Sequence, residues 1–273
     1  MNQAEINRQF NECKLLVEQE HYSKAIPIIK AIIDTVSSKY VGQEVRYYSF
    51  NHILETYYYA YFFKDVSKLN YTEENINSYY RLYGFALMKV NRLDEAIMAY
   101  NAGLDWNPVD LETLMQLGEL YKLSKNFKSL RKVSNEAYKL CCTRATLARY
   151  YRNLGYYYLE SYKPEVARAL YTYSNIYFET ENAKTEISFL DKAQPQYAKE
   201  MSVKELQAII QQEGIPLGPD SNTLGITFRV GQIELDNGNY QNAADCMAMV
   251  YDLTEDDEAK QLMETAISKL NTR

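Results

Sequence analysis

Of its 273 residues, this chain has only ten glycines, six prolines, four cysteines, two histidines and one tryptophan. So few backbone breakers leave no room for long flexible linkers or a low-complexity segment. Cys13, Cys141, Cys142 and Cys246 lack the paired spacing of a zinc site. They read as free thiols in a reducing cytoplasm, with a redox role for vicinal Cys141-Cys142 as the alternative. No catalytic, metal or cofactor site is expected. The two histidines stand in different segments, and no nucleophile elbow, phosphate loop, H-E-x-x-H or dinucleotide glycine fingerprint occurs. His21 falls at a helix-to-helix turn and reads as exposed; His52 lies among aromatics and reads as an interior or groove histidine. Asp236-Asn237-Gly238-Asn239 lacks the ligand spacing of a calcium loop and reads as a turn between helices.

Membrane and export signals are missing as well. The most apolar stretch, 43–63, is interrupted by Glu44, Arg46, Asn51, His52 and Glu55, which excludes a membrane span. The opening Met1-Asn2-Gln3-Ala4-Glu5-Ile6-Asn7 is polar and lacks the apolar core of a signal peptide, so a cytoplasmic location is expected. Net charge is −6, which argues against nucleic acid as a general partner.

What the chain does have is a period. Gly84, Gly118 and Gly155 are 34 and 37 residues apart, and a similar set of aromatic and apolar residues surrounds each. In 77–110 the set is Tyr80, Tyr83, Gly84, Leu87, Ala96, Tyr100, Gly103 and Pro108. In 111–144 it is Leu114, Leu117, Gly118, Tyr121, Phe127, Ala137 and Tyr138, with Leu130 and Ser134 where a small and an aromatic residue are expected. In 148–181 it is Tyr151, Leu154, Gly155, Tyr158, Ala167 and Tyr171, and Lys163-Pro164-Glu165 fits a turn with proline in a first helical turn. Weaker copies are 6–40, with Cys13, Leu16, Tyr22, Ala25, Ile29 and Ile32, and 224–257, with Gly231, Tyr240, Ala243, Met247 and Val250.

This pattern resembles the tetratricopeptide repeat, a helix-turn-helix unit of about 34 residues. The resemblance implies an all-α fold: a right-handed superhelix of stacked antiparallel hairpins, about six to seven of them plus a C-terminal capping helix, as one domain over 1–273. One hairpin cannot bury its apolar face alone, so neighbours must stack. Two stretches fit the repeat poorly. Residues 43–63 read as one long, largely buried helix, with 66–72 as its connection to the next. Residues 182–215 read as a degenerate hairpin whose second helix opens on the capping box Ser202-Val203-Lys204-Glu205, followed by a loop at 214–219. A last helix is expected to start at Thr254 and end near Leu270.

The resemblance also implies a non-enzymatic protein- or peptide-binding module, a cytoplasmic adaptor, scaffold or sensor whose first helices line a concave groove. The stripe of those helices that faces away from the stack carries Arg81, Phe85, Met88 and Lys89, then Met115, Glu119 and Lys122, then Arg149, Arg152, Tyr156 and Leu159. Arg81, Phe85, Lys122, Arg149, Arg152 and Tyr156 are the candidate contacts, since arginine beside an aromatic suits a carboxylate-bearing peptide. Residues 122–152 hold nine basic side chains against Glu136 alone, whereas the C-terminal end carries Asp252, Glu255, Asp256, Asp257 and Glu258. This asymmetry reads as a solvated face, as a patch for an acidic partner, or as the basis of a self-associating assembly protein. Peptide-responsive regulators with such repeats are a further alternative; they carry an N-terminal DNA-binding domain, whereas residues 1–40 read as a hairpin here. An enzyme is the remaining one. Most of the 27 tyrosines are expected to fill the aromatic places of the repeat.

Overall fold

A computed structural model describes residues 2–64 and 69–271. Within them lie fourteen helices and one pair of two-residue strands, an all-α solenoid of helical hairpins. The chain divides into two compact units, Met1–Ser124 and Lys125–Arg273.

Unit 1 starts with α1 (Gln3–Glu18) packed on α2 (Tyr22–Ser37). The atypical segment follows: β1 (Tyr47–Tyr48), α3 (Ile53–Phe63) and β2 (Asn70–Tyr71), the two strands being parallel. Next come α4 (Ile76–Lys89), α5 (Leu93–Trp106) and α6 (Leu111–Leu123); α4 packs on both α2 and α5, and α5 on α6. Unit 2 contains α7 (Phe127–Tyr138), α8 (Arg144–Glu160), α9 (Pro164–Tyr177), α10 (Glu181–Ala193), a 3-10 turn at Pro195–Tyr197, α11 (Val203–Gln212), α12 (Ser221–Asp236), α13 (Tyr240–Thr254) and α14 (Asp257–Asn271). Here α8 pairs with α9 and α12 with α13, α10 and α11 both lean on α9, and α14 lies on α13.

Gly84, Gly155 and Gly231 sit where helices of one hairpin nearly touch. A Cβ added at Gly84 would stand 2.9 Å from the ring of Tyr100, and one at Gly155 would stand 3.2 Å from the ring of Tyr171. At Gly231 it would meet the end of Met247 at 2.8 Å. In all three, the opposing side chain lies sixteen residues on, at the same height of the second helix. A missing Cβ thus makes the slot that a large residue fills.

The hairpin turns also repeat. The residue just before the second helix's N-cap takes a left-handed conformation at Glu20, Asn91, Lys125, Tyr162 and Gly238. A single glycine serves this position, although glycine adopts that conformation most easily. Elsewhere the bonds of the turn impose it; in the last full repeat Tyr162 N–H donates to Leu159 O at 3.1 Å and Lys163 N–H to Tyr158 O at 2.9 Å, with the Tyr162 side chain 93% exposed.

Local signals behave as their chemistry dictates. Ser202 and Glu205 form the reciprocal capping box at the start of α11, and Pro164 opens α9. The 236–239 segment is the α12–α13 turn. The capping helix buries Ala259 and Ala266 completely, with Ala259 against Met247 and Val250 of α13.

Three expectations need correction. Residues 43–63 are not one helix: α3 begins at Ile53 and Tyr47–Tyr48 is extended. The cause is tertiary. The last turn of α5 leaves carbonyls open; Ser49 N–H donates to Trp106 O at 2.9 Å and the Arg46 guanidinium to Asp105 O at 3.1 Å. The helix is not wholly buried either, since Tyr61 and Phe63 are about half exposed. Of the connection expected at 66–72, residues 66–68 lie outside the described residues, and 70–71 form β2. Second, His52 is no interior residue; it stands 53% exposed just before α3, its Nε2 3.6 Å from Glu55. Third, Thr254 ends α13. Glu255 turns left-handed, and α14 is capped by Asp256, whose carboxylate accepts from Ala259 N–H at 2.8 Å.

A buried carboxylate clips the ends of the atypical segment together. Glu74 accepts from the Tyr40 hydroxyl at 2.6 Å and from the Lys39 ammonium, its side chain fully shielded. Burial alone would raise its pKa; the Lys39 and Tyr40 hydrogen bonds and the Lys39 charge outweigh that and hold it below the ordinary carboxylate range. A depressed folded-state pKa contributes stability above the unfolded value, and that contribution is lost as pH falls through the folded value. Glu74→Gln is therefore expected to cost roughly 1–3 kcal/mol at neutral pH. The gap between variant and parent should close in denaturation series below about pH 4. A gap that stays constant down to acid pH would show that the Glu74 charge contributes nothing.

Candidate partner-binding groove

In unit 1, α1, α4 and α6 together line an open groove of about 330 Å³. Phe10 and Lys14 come from α1, Arg81, Leu82 and Phe85 from α4, and Glu112 and Gln116 from α6, where the Gln116 amide donates to Glu112 at 2.6 Å. It continues along α1 past Asn7 and Asn11 to Asn75 at the start of α4. Each phenylalanine carries an ammonium over its face: Lys14 lies 5.1 Å from the Phe10 ring and Lys89 lies 5.2 Å from the Phe85 ring. Phe10 is fixed edge-on against Tyr79 and Phe85 against Tyr22. The groove thus offers two anchored aromatic surfaces, cations and a row of side-chain amides. Amides both donate and accept, which matches the needs of an extended peptide backbone.

Beneath Arg81 lies a buried polar network that holds these helices in place. Asp110, 2% exposed, accepts from Asn77 Nδ2 at 2.8 Å, Arg81 Nη1 at 3.2 Å, Asn51 Nδ2 at 3.4 Å and the Thr113 hydroxyl. Glu55 accepts from Asn51 N–H at 2.6 Å, Asn51 Nδ2 at 3.0 Å and Asn107 Nδ2 at 2.8 Å. Burial pushes the Glu55 carboxyl above its ordinary range, against His52 and the Asn51 donors. Every buried charge here has several partners, as a low-dielectric site demands.

The six expected contact residues fall in both units. Arg81 and Phe85 line the groove together, and Arg81 is half-buried and tied to Asp110. Lys122, also in unit 1, pairs with Glu119 at 3.0 Å. In unit 2, Arg152 donates to Phe178 O at 3.2 Å, while Arg144 donates to Tyr177 O at 3.0 Å and Ile176 O at 2.8 Å. Two cations therefore close the open carbonyls at the end of α9, a favourable place for positive charge. Tyr156 packs 6.3 Å from Phe127; burial and the neighbouring Glu160 push its hydroxyl pKa up. Arg149 is half-buried on α8, its charge near the Cys141 thiol. Arg81 and Arg152 hold equivalent repeat positions, each three residues before the glycine, and both reach onward to tie down the chain after their hairpin.

The sequence reading omitted Phe10, Lys14, Asn7 and Asn11. A signal for them was present. With Cys13 at the glycine place of the weak 6–40 repeat, Phe10 and Lys14 occupy the positions of Arg81 and Phe85. Three of the four thiols are poor nucleophiles: burial pushes Cys13 up to about 11 and Cys246 to about 12, and raises Cys141 further. No cluster of three or more His, Cys, Asp or Glu suited to a metal occurs among the described residues, and no helix there is long and apolar enough to cross a membrane.

No protein-family model matches the sequence, and neither does any curated protein. Among solved structures, the chain is similar to one from the functional characterisation of pilF of Pseudomonas aeruginosa, at 12% identity and a TM-score of 0.50, over 95% of this chain and 96% of that one. It is also similar to the C-terminal part of a TPR repeat-containing protein from Cytophaga hutchinsonii, at 15% identity and a TM-score of 0.38, over 93% and 99% of the two chains. Likeness at such identities concerns the fold alone, here an all-α array of helical hairpins of the kind that the repeat pattern implies.

Proposed function

We propose that this tetratricopeptide-type chain is a non-enzymatic binding module, a cytoplasmic adaptor or scaffold that holds a polypeptide segment in the α1–α4–α6 groove of unit 1. The observation that carries the reading is the composition of that groove: Phe10 and Phe85 as rigid aromatic anchors, Lys14 as the exposed cation on α1, and the amides of Asn7, Asn11 and Gln116, with the acids Glu112 and Glu73 further along its walls. Aromatic anchors bind at low entropy cost and dominate interface energies, while amides pair with a backbone whatever its sequence. Lys14 is exposed, so the favoured segment brings a carboxylate to it and an apolar side chain to the phenylalanines. Exposed histidines and raised thiol pKa values support a binding role over a catalytic one.

Selection from a displayed library of random linear peptides tests this. Enriched peptides should combine an acidic and an apolar residue. They should lose binding to Asn11→Ala/Lys14→Glu, whose two positions are exposed and leave the core untouched. Added salt should weaken binding, because the charged contact is open to solvent. Absence of enrichment, or peptides that bind parent and variant alike, would remove the groove from consideration.

A further inference from the structure

The basic segment 122–152 contains two kinds of cation. Lys122 is paired, and Arg144 and Arg152 close the end of α9. Lys128, Arg131 and Lys132 are different. They stand exposed on one face of α7, and neither Lys128 nor Arg131 forms an ion pair among the described residues. Lys132 has only an exposed partner, Glu136, at 3.8 Å. Lys125 and Lys139 extend the exposed charge at either end of the helix. Between α7 and α8 this face is concave, about 460 Å³, with Phe127 and Tyr157 alongside the cations. Arg131 lies over the Tyr157 ring at 5.3 Å and its Nη1 reaches the tyrosine hydroxyl at 3.5 Å, which steadies the guanidinium on this face, while the nearby Glu213 carboxylate is taken by Lys163 at 2.8 Å.

The same unit presents the opposite charge elsewhere. Glu255, Asp256, Asp257 and Glu258 follow one another at the α13–α14 turn; all are exposed, and none is ion-paired among the described residues. The left-handed Glu255 and the Asp256 cap fix this turn as a compact projection. Two copies of a chain of charge −6 repel on average, so mutual attraction is confined to faces where the sign reverses.

We infer that the α7 face docks the acidic α13–α14 turn of a second copy of this chain, joining copies head to tail. The contact uses different surfaces on the two copies, so a dimer keeps one free basic face, on one copy, and one free acidic face, on the other. Such an interface propagates into longer assemblies unless the rotation closes a ring. This inference is independent of the groove in unit 1, and its contacts are exposed charges that salt screens.

The test is native mass measurement and light scattering at low and high salt. The parent should show monomer, dimer, trimer and longer species whose proportions rise with concentration, returning to monomer in high salt. Lys128→Gln/Arg131→Gln/Lys132→Gln should be monomeric, as should Glu255→Gln/Asp257→Asn/Glu258→Gln, in which the Asp256 cap is kept. An equimolar mixture of the two variants retains one intact face of each kind, so it should stop at a one-to-one dimer; this also shows that both variants are folded. A parent that stays monomeric at low salt overturns the inference. So do assemblies that persist in either variant alone. A monomeric parent that nonetheless binds a polyglutamate peptide would assign the α7 face to a foreign acidic partner and likewise overturn it.

Discussion

Asp110→Ala is expected to be among the most damaging single changes in the chain, costing about 3–5 kcal/mol, because it breaks a buried charged network from one side. The loss strands Asn77, Thr113 and Asn51 donors and leaves Arg81 without its partner. Asp110→Asn keeps one acceptor oxygen and should cost clearly less. The chain holds a single tryptophan, Trp106, at the end of α5 in unit 1. Tryptophan fluorescence during urea unfolding therefore reports on the unit that carries the network. Unchanged midpoints in both variants would mean that the network contributes specificity of docking and no net stability.

Tyr100→Ala should be comparably severe, at roughly 3–5 kcal/mol, since the ring is fully buried and its removal opens a cavity. Gly84→Leu alone should overpack the same slot, costing about 1–3 kcal/mol before an offset of about 1 kcal/mol from better helix propensity. The informative result is the pair. Because an added Cβ at Gly84 would stand 2.9 Å from the Tyr100 ring, leucine at 84 enters the space that alanine at 100 vacates. The double variant should be more stable than the sum of the single losses predicts, by about 0.5–3 kcal/mol. Strict additivity would show that the glycine and the tyrosine do not share a slot.

This glycine–aromatic pairing is why the fold could be read from the sequence. The slot recurs in three hairpins, so its two halves recur at a fixed separation, and Gly84, Gly155 and Gly231 mark it. Caps were legible for a similar reason. Ser202 and Glu205 bond each other locally, within a single turn. The candidate groove was half legible. Arg81 and Phe85 lie on a strong repeat, whereas Phe10 and Lys14 lie on one where Cys13 replaces glycine and weakens the register.

The atypical segment was misread because its local pattern is helical. Aromatic and apolar residues crowd 47–63, and nothing within that stretch forbids a helix at 47–48. Tertiary bonds decide otherwise: the open carbonyls at the end of α5 take Ser49 N–H and the Arg46 guanidinium, and β2 pairs with Tyr47–Tyr48. Burial of charge was equally hidden. Glu55, Glu74 and Asp110 look like surface acids in the sequence, and they are among the least exposed side chains in unit 1.

By itself, then, the sequence determined the helical-repeat class, the capping box at Ser202 and the separation of positive from negative charge along the chain. These depend on spacing, composition and bonds between near neighbours in the chain. The tertiary structure alone decided which cations are committed to helix ends and which remain available on α7. It alone decided where the acids pair, and that α1 contributes to the groove. Those outcomes depend on partners that are distant in sequence, Asp110 for Arg81 and Phe178 for Arg152, which only packing brings within hydrogen-bond reach.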